Sequence, residues 1–198
     1  MNAVQPLCAG SVLLPIRVRS SDRMENQVLI IGYGNTYCRD DGVALYILNA
    51  IRKRANLNIL QPDEDGLDGL GHPIDTIMVH QLIPELAPSL ASYQKVLFVD
   101  AHKGTIPEEI RIVPVQEEYG FHAVTHHMSP GMLLTLARQN NGFAPLGILI
   151  SIRGEDFDFG LGISDSCRSR ADMAIERILN LVEAKSISKA TDKRSLRQ

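Results

Sequence analysis

The chain has 198 residues, of which 44% are hydrophobic and 22% charged, and its formal net charge is −3. This length and balance are sufficient for one globular domain with a full core, and the absence of a long basic stripe argues against a protein that binds nucleic acid or an anionic membrane. Three widely separated cysteines without a CxxC pair, and no apolar run near the ~20 residues of a membrane span, favour a cytoplasmic protein with reduced thiols.

The two ends of the chain lack the patterns of its middle. The first strand pattern begins only at Val28, so residues 1–24 are predicted to be a flexible extension. Their one apolar run is interrupted by Pro15 and has no basic segment before it, which is not typical of a secretory signal. Residues 186–198 show no apolar periodicity and are predicted to be a flexible tail. A single α/β domain is therefore expected over residues 25–185.

Between these ends, short apolar runs typical of buried strands alternate with segments of helical periodicity. Strands are predicted at residues 28–31, 74–81, 95–100, 110–115 and 147–152, and helices at residues 43–54, 84–93, 129–138 and 164–184. The alternation predicts a three-layer α/β/α sandwich with a mixed, mostly parallel five-stranded sheet. The link between the third and fourth strands is too short for a crossover helix, so one antiparallel pairing is expected.

The most informative segment follows the first strand. Gly32 and Gly34 interrupt the apolar run, and Asn35 comes directly after them. Two glycines after a strand occur in dinucleotide-binding loops, but Tyr37 stands where the third glycine of GxGxxG is expected. The second strand ends at His80 without the acidic residue that would bind a ribose. The pattern therefore gives only weak support to a nucleotide-binding module.

Three aspartates are candidates for chemistry. Asp40 and Asp41 stand just ahead of the first predicted helix, where adjacent side chains diverge by ~100°. One of them could cap that helix while the other is solvated, or one could bind a ligand. Asp100 ends a strand that should be central in the sheet, where a buried carboxylate must be paired, hydrogen-bonded or metal-bound. A ligand role and a local structural role are both open for these residues.

A pair of histidines, His126 and His127, precedes Pro130 at a predicted junction between a loop and a helix. Two carboxylates and an imidazole form a ligand set that suits a divalent transition metal with open positions, although these ligand types do not distinguish nickel from zinc or copper. No HExxH helix and no GxSxG elbow is present, which excludes a conventional zincin and gives no sign of a serine hydrolase. Cys38 is a possible nucleophile, but no base can be assigned to it.

Taken together, these motifs resemble those of the hydrogenase maturation endopeptidases, which trim the C-terminus of a [NiFe] hydrogenase large subunit. The family carries a GxGN-x4-D-(D/E)-G opening, a strand that ends in Asp-Ala, a Pro-Gly-Glu-Ile-like segment, and a histidine four residues before a proline. The corresponding segments here are residues 32–42, 98–101, 106–112 and 126–130. The likeness extends over residues 28–182, with the motifs in the family's order.

The resemblance implies a nickel-dependent endopeptidase that removes the C-terminal extension of the large-subunit precursor after nickel insertion. The implied catalytic and nickel-contacting residues are Asp41, Asp100 and His126. The implied supporting residues are Gly32, Gly34, Asn35, Asp40 and His127, with His127 as the alternative third ligand. The nickel would arrive with the precursor rather than reside in the protease, and a monomer with an exposed cleft is expected. The same ligands could instead serve a non-catalytic, nickel-sensing chaperone of the precursor.

Overall fold

The structure of the chain is a computed structural model that describes residues 27–119 and 128–183. The strands are β1 (Val28–Tyr33), β2 (Ile74–Val79), β3 (Lys95–His102), β4 (Ile110–Pro114) and β5 (Leu146–Arg153). The α-helices are α1 (Val43–Arg54), α2 (Pro130–Asn141) and α3 (Asp165–Glu183). Short 3-10 turns lie at Arg39–Gly42, Leu67–Gly69, Pro84–Leu86 and Ser89–Ser92.

The extension and the tail predicted from the sequence, residues 1–24 and 186–198, lie outside the described residues, so the domain boundaries stay predictions. None of the described helices has the length and apolar character needed to cross a membrane.

The five strands form one sheet in the order β2-β1-β3-β5-β4. β1 pairs in parallel with both β2 and β3, and β3 pairs in parallel with β5. The pairing of β4 with β5 is antiparallel. The predicted mixed, mostly parallel five-stranded sheet is therefore confirmed. The antiparallel partner of β4 is β5, which lies between β3 and β4.

Consecutive residues of a strand point to opposite faces of the sheet, and here both faces are covered. Val28 and Ile30 of β1 pack on one face with apolar residues of α1 and α3. Leu29 and Ile31 pack on the other face with α2 and with the turns at 84–92. All four side chains are buried, which explains the unbroken apolar run in β1. The predicted three-layer sandwich is confirmed.

The segment predicted as a helix over residues 84–93 folds instead into two 3-10 turns. An α-helix would need the backbone N–H of Pro88 to donate to the carbonyl of Pro84, and proline has no such N–H. That carbonyl accepts from Ala87, one residue closer, which is the tighter 3-10 pattern. The apolar residues of the segment still reach the core, so the pattern predicted burial correctly and helix type incorrectly.

The start of α2 agrees with the sequence. Ser129 caps the helix, because its Oγ accepts the backbone N–H of Met132 at 3.1 Å, and Pro130 takes the first helical position. The helix continues past the predicted end near Arg138 and stops where Gly142 adopts a left-handed φ of 70°.

Candidate active site

The strand order places a topological switch point between β1 and β3. From β1 the chain moves to β2 on one side, and it then returns to β3 on the other side. In open α/β sheets, ligands bind in the crevice outside the carboxyl ends of the strands at such a point. The two segments that follow β1 and end β3 carry the predicted site residues Asp41 and Asp100.

The loop after β1 closes tightly around Asp41. Gly34 has a φ of 137°, and a Cβ at this position would collide with the carbonyl oxygen of Asp41, so a side chain here is excluded by both space and conformation. The backbone N–H of Asn35 donates to Asp41 Oδ2 at 2.6 Å. The Asn35 N–H, which a nucleotide phosphate would need as a donor, is thus already bonded to a carboxylate. This disfavours the hypothesis of a nucleotide-binding module.

Gly32 serves a different purpose, at the contact between β1 and α1. A Cβ on Gly32 would lie 2.9 Å from the Cβ of Ala44 and 2.9 Å from Cδ1 of Leu48. Because real Cβ atoms do not approach that closely, glycine is what allows helix and strand to meet here. This close packing sets the position of α1 and of the turn that carries Asp41.

Asp100 lies at the end of β3, half-buried beside Tyr33. Its Oδ1 accepts the backbone N–H of Ala101 at 2.8 Å. The pKa of Asp100 is raised to about 7, chiefly by burial and also by the charge of Asp41, while hydrogen bonds from Ala101 and from the Tyr33 hydroxyl act in the opposite direction. Burial also raises the pKa of Tyr33, so the phenol is a protonated donor at neutral pH.

Asp41 and Asp100 are therefore close enough to repel each other. Within the described part of the chain, no lysine or arginine forms an ion pair with either carboxylate. Two neighbouring carboxylates without a compensating cation form an oxygen-rich site of the kind that divalent metals occupy.

Asp40, by contrast, is completely buried and fully hydrogen-bonded. Its carboxylate accepts the backbone N–H groups of Glu155 (2.8 Å), Asp156 (3.0 Å) and Ser164 (2.6 Å), and the hydroxyl of Ser164 (2.8 Å). Burial opposes ionisation, but these hydrogen bonds outweigh it and hold the pKa of Asp40 below its usual value. Asp40 thus ties the turn before α1 to the segment before α3. Neither it nor Asp41 caps α1, whose N-cap, Gly42, makes no side-chain cap bond.

His126 and His127 lie outside the described residues. Among the residues that are described, no three His, Cys, Asp or Glu side chains converge on a possible metal position. The assignment of the third ligand to His126, with His127 as the alternative, stays a prediction.

A cleft of about 340 Å³ opens beside the loop that holds Asp41. Its walls are formed by Gly34 and Thr36, by residues 62–65 and by residues 78–81. The loop between α1 and β2, which is rich in Asp, Gly and Pro over residues 61–73, therefore contributes one wall of a cleft next to the site.

Sequence reasoning missed two features of this site. The role of Tyr33 follows from strand register, because Tyr33 and Asp100 come directly after the paired residues Gly32 and Val99 of β1 and β3. The partners of Asp40 carry no local sequence signal, since they lie 115 or more residues further along the chain.

Comparison with solved structures identifies the fold. The hydrogenase maturating endopeptidase HybD from E. coli superposes with a TM-score of 0.54 at 18% identity, over 79% of this chain and 91% of that protein. The [NiFe] hydrogenase maturation protease HybD from Thermococcus kodakarensis superposes with a TM-score of 0.52 at 20% identity, over 79% of this chain and 99% of that protein. The fold is that of the hydrogenase maturation endopeptidases. No protein-family profile and no curated protein matches the sequence.

The structural match spans nearly the whole length of these endopeptidases, so the fold expected from the resemblance is confirmed across the domain. At 16–20% identity to the first neighbours, the likeness establishes the architecture and leaves the activity to be argued from the residues.

Proposed function

We propose that this protein is an endopeptidase that removes the C-terminal extension of a [NiFe] hydrogenase large-subunit precursor after nickel has been inserted. One observation carries the proposal. Asp41 and Asp100 are brought together at the switch point of this fold, with no compensating cation among the residues that the structure describes. These are the two residues that the family's motifs select as nickel contacts.

The hydrogen bonds of the two carboxylates support a ligand role. The N–H of Asn35 fixes one oxygen of Asp41, and the N–H of Ala101 fixes one oxygen of Asp100. Each carboxylate is oriented by the backbone of its own segment and keeps lone pairs for a further partner. His126, or in its place His127, would complete the set with an imidazole nitrogen.

The nickel belongs to the substrate in this proposal. When it is carried into the site by the precursor, it would supply Lewis-acid polarisation near the scissile bond. The chain's own residues would bind and orient the precursor. The carboxylates would position the precursor's metal centre, and the adjoining cleft would accommodate the end of the precursor's chain. Recognition of nickel already in the precursor would restrict trimming to loaded molecules.

The test is the mass of the precursor after incubation with the protein. We expect the wild-type protein to shorten the nickel-loaded precursor and to leave the nickel-free precursor intact. Asp41→Asn, Asp100→Asn and His126→Ala should each slow trimming by more than the ~10–100-fold that is typical of losing an outer-shell partner of a metal site. Asp68→Asn, in the exposed turn Leu67–Gly69 and not among the residues that line the cleft, is the matched control and should trim at the wild-type rate.

Three outcomes separate the alternatives. Trimming at the wild-type rate by all three variants would contradict the site assignment. Loss of activity in His127→Ala but not in His126→Ala would move the third ligand by one residue. A precursor that binds tightly in a nickel-dependent manner and keeps its full mass would instead indicate the non-catalytic chaperone.

A further inference from the structure

Two phenylalanines in the segment between β5 and α3 have opposite environments. Phe157 folds back against Gly154, where a Cβ would lie 2.6 Å from the Phe157 ring, and Lys103 sits 4.8 Å above the centre of that ring. Phe159, two residues later, is 82% exposed. The segment therefore has enough order to cover one aromatic ring partly and to present the other to solvent.

Phe159 belongs to a strip of exposed apolar side chains. Leu161 is 65% exposed and Tyr37 is 38% exposed. A parallel β-bridge between Cys38 and Gly160 brings the two segments together, with the N–H of Gly160 donating to the carbonyl of Tyr37 at 2.8 Å. We call Tyr37, Phe159 and Leu161 the apolar strip. Contiguous exposed apolar side chains of this size often mark a surface that binds another molecule.

The strip is held in place by the most extensively hydrogen-bonded carboxylate of the site region. Asp40 accepts backbone N–H groups from residues on both sides of Phe159 and Leu161, at Asp156 and Ser164. The exposure of the strip is therefore a feature of an ordered segment, and such preorganisation lowers the entropic cost of docking.

The strip is connected to the candidate site through the loop after β1. The N–H of Tyr37 donates to Asn35 Oδ1 at 3.0 Å, and the N–H of Asn35 donates to Asp41. A partner that rests on Tyr37 would thus lie beside the nickel-contacting residues of the proposed function.

The size and charge of the strip indicate what kind of partner it fits. Three side chains fall well short of the ~800 Å² per partner that a stable interface buries, so the strip by itself does not provide a permanent homodimer interface. The neighbouring acidic residues are Asp156, which pairs with Arg39 at 3.3 Å, and Asp158, which is exposed. Because Arg39 already neutralises Asp156, the charge that is left without an ion pair among the described residues is that of Asp158, and a complementary surface would present an apolar socket with one lysine or arginine at its rim.

We propose that the apolar strip docks the folded body of the large-subunit precursor while its chain end occupies the candidate site. The inference rests on the proposed function for the identity of the partner. It adds a binding surface outside the carboxylate pair, with an apolar and basic complement on the precursor.

Calorimetric titration of the full-length protein with the nickel-loaded precursor tests this docking directly. We expect the double variant Phe159→Ala/Leu161→Ala to weaken the Kd at least about tenfold, as removal of central apolar anchors does in protein interfaces. At saturating precursor it should trim at the wild-type rate. Leu146→Ala is the matched control, because Leu146 is also exposed (52%) but lies at the N-terminal end of β5, whereas Phe159 and Leu161 follow its C-terminal end, and its Kd should not change. Unchanged thermal melting of both variants shows that the fold is intact.

The outcomes distinguish this proposal from the proposed function. A precursor that binds to the wild-type protein without being trimmed contradicts the endopeptidase assignment, while the comparison of Kd values still decides the docking. Equal Kd values for the wild-type protein and the double variant overturn the docking, as does a precursor that does not bind at all. Sedimentation that shows a wild-type dimer abolished by the double variant would also overturn it, because the strip would then bind a second copy of the chain.

Discussion

Asp40 and Asp100 lie in the same region of the molecule but in opposite electrostatic environments. Asp40 accepts three backbone N–H groups and one hydroxyl, and its pKa is lowered despite complete burial. Asp100 accepts one backbone N–H and the Tyr33 hydroxyl, faces the charge of Asp41, and has its pKa raised to about 7. Burial opposes the ionised form of both carboxylates; four hydrogen bonds outweigh it at Asp40, whereas at Asp100 the fewer donors and the charge of Asp41 leave the effect of burial dominant.

This contrast separates a structural carboxylate from one that we propose to be functional. The fold satisfies Asp40 completely, so Asp40 has no capacity left for a ligand and instead joins two distant segments. Asp100 is left with too few donors and a like charge nearby, which is the arrangement expected where a ligand supplies the missing partner. The adjacent residues Asp40 and Asp41 differ in the same way: Asp40 has a structural role, and Asp41 is a proposed ligand.

The largest expected effect comes from removing the structural carboxylate. Asp40→Ala leaves three backbone N–H groups without their acceptor, so we expect the free energy of unfolding to fall by about 3 kcal/mol or more. Urea denaturation measures this change. A loss below about 1 kcal/mol would show that these hydrogen bonds contribute little beyond what water provides.

The lowered pKa of Asp40 also predicts how the stability of the protein depends on pH. The pKa of Asp40 is lower in the folded state than in the unfolded chain, so its stabilising contribution is present above the ordinary carboxyl pKa and is lost as the pH falls through the folded value. Acid unfolding of Asp40→Asn should therefore show a weaker dependence of stability on pH below about pH 4 than the wild-type protein. Parallel acid-unfolding curves would contradict this assignment.

Asp100 should behave in the opposite way. Its folded-state pKa of about 7 exceeds the unfolded value, so the folded state is favoured by protonation and penalised as the pH rises through that range. Asp100→Asn removes the penalty and should raise stability at pH 8 by on the order of 2 kcal/mol, a figure discounted because the side chain is partly exposed. The gain should shrink towards pH 4. A variant less stable than the wild-type protein at pH 8 would contradict the contrast.

The smallest expected effect is that of removing the Tyr33 hydroxyl. Its hydroxyl lowers the pKa of Asp100 by donating to the carboxylate, so Tyr33→Phe should raise that pKa further. Removing one hydrogen bond to a charged group corresponds to roughly one pKa unit. NMR titration of Asp100 in the two proteins measures the shift, and an unchanged or lower pKa would show that the hydroxyl does not stabilise the ionised carboxylate.

The sequence was sufficient for the architecture because β1 and the buried part of β3 are apolar runs, and because Ser129 and Pro130 mark the start of α2. It was misleading at residues 84–93, where apolar spacing suggested a helix and Pro88 removed the hydrogen bond that a helix requires. The site was predictable to the extent that its residues lie near the carboxyl ends of strands, as Asp100 does two residues before the end of β3. The partners of Asp40 were not predictable, because long-range backbone hydrogen bonds leave no pattern in local sequence.

The apolar strip is a second feature that could not be predicted from the sequence. Phe157 and Phe159 are the same residue type two positions apart, and nothing in the local sequence indicates which ring is partly covered and which is exposed. Only the folded segment, anchored by Asp40, distinguishes them. The structural carboxylate therefore has a second consequence, since it orders the surface that we propose for precursor docking.

The central claim is that Asp41 and Asp100 form the working pair of the site, and mass analysis of the nickel-loaded precursor incubated with Asp100→Asn tests it most directly. The account predicts a protein more stable than the wild type at pH 8 that leaves the precursor at its full mass. Trimming at the wild-type rate by this stabilised variant would contradict the account.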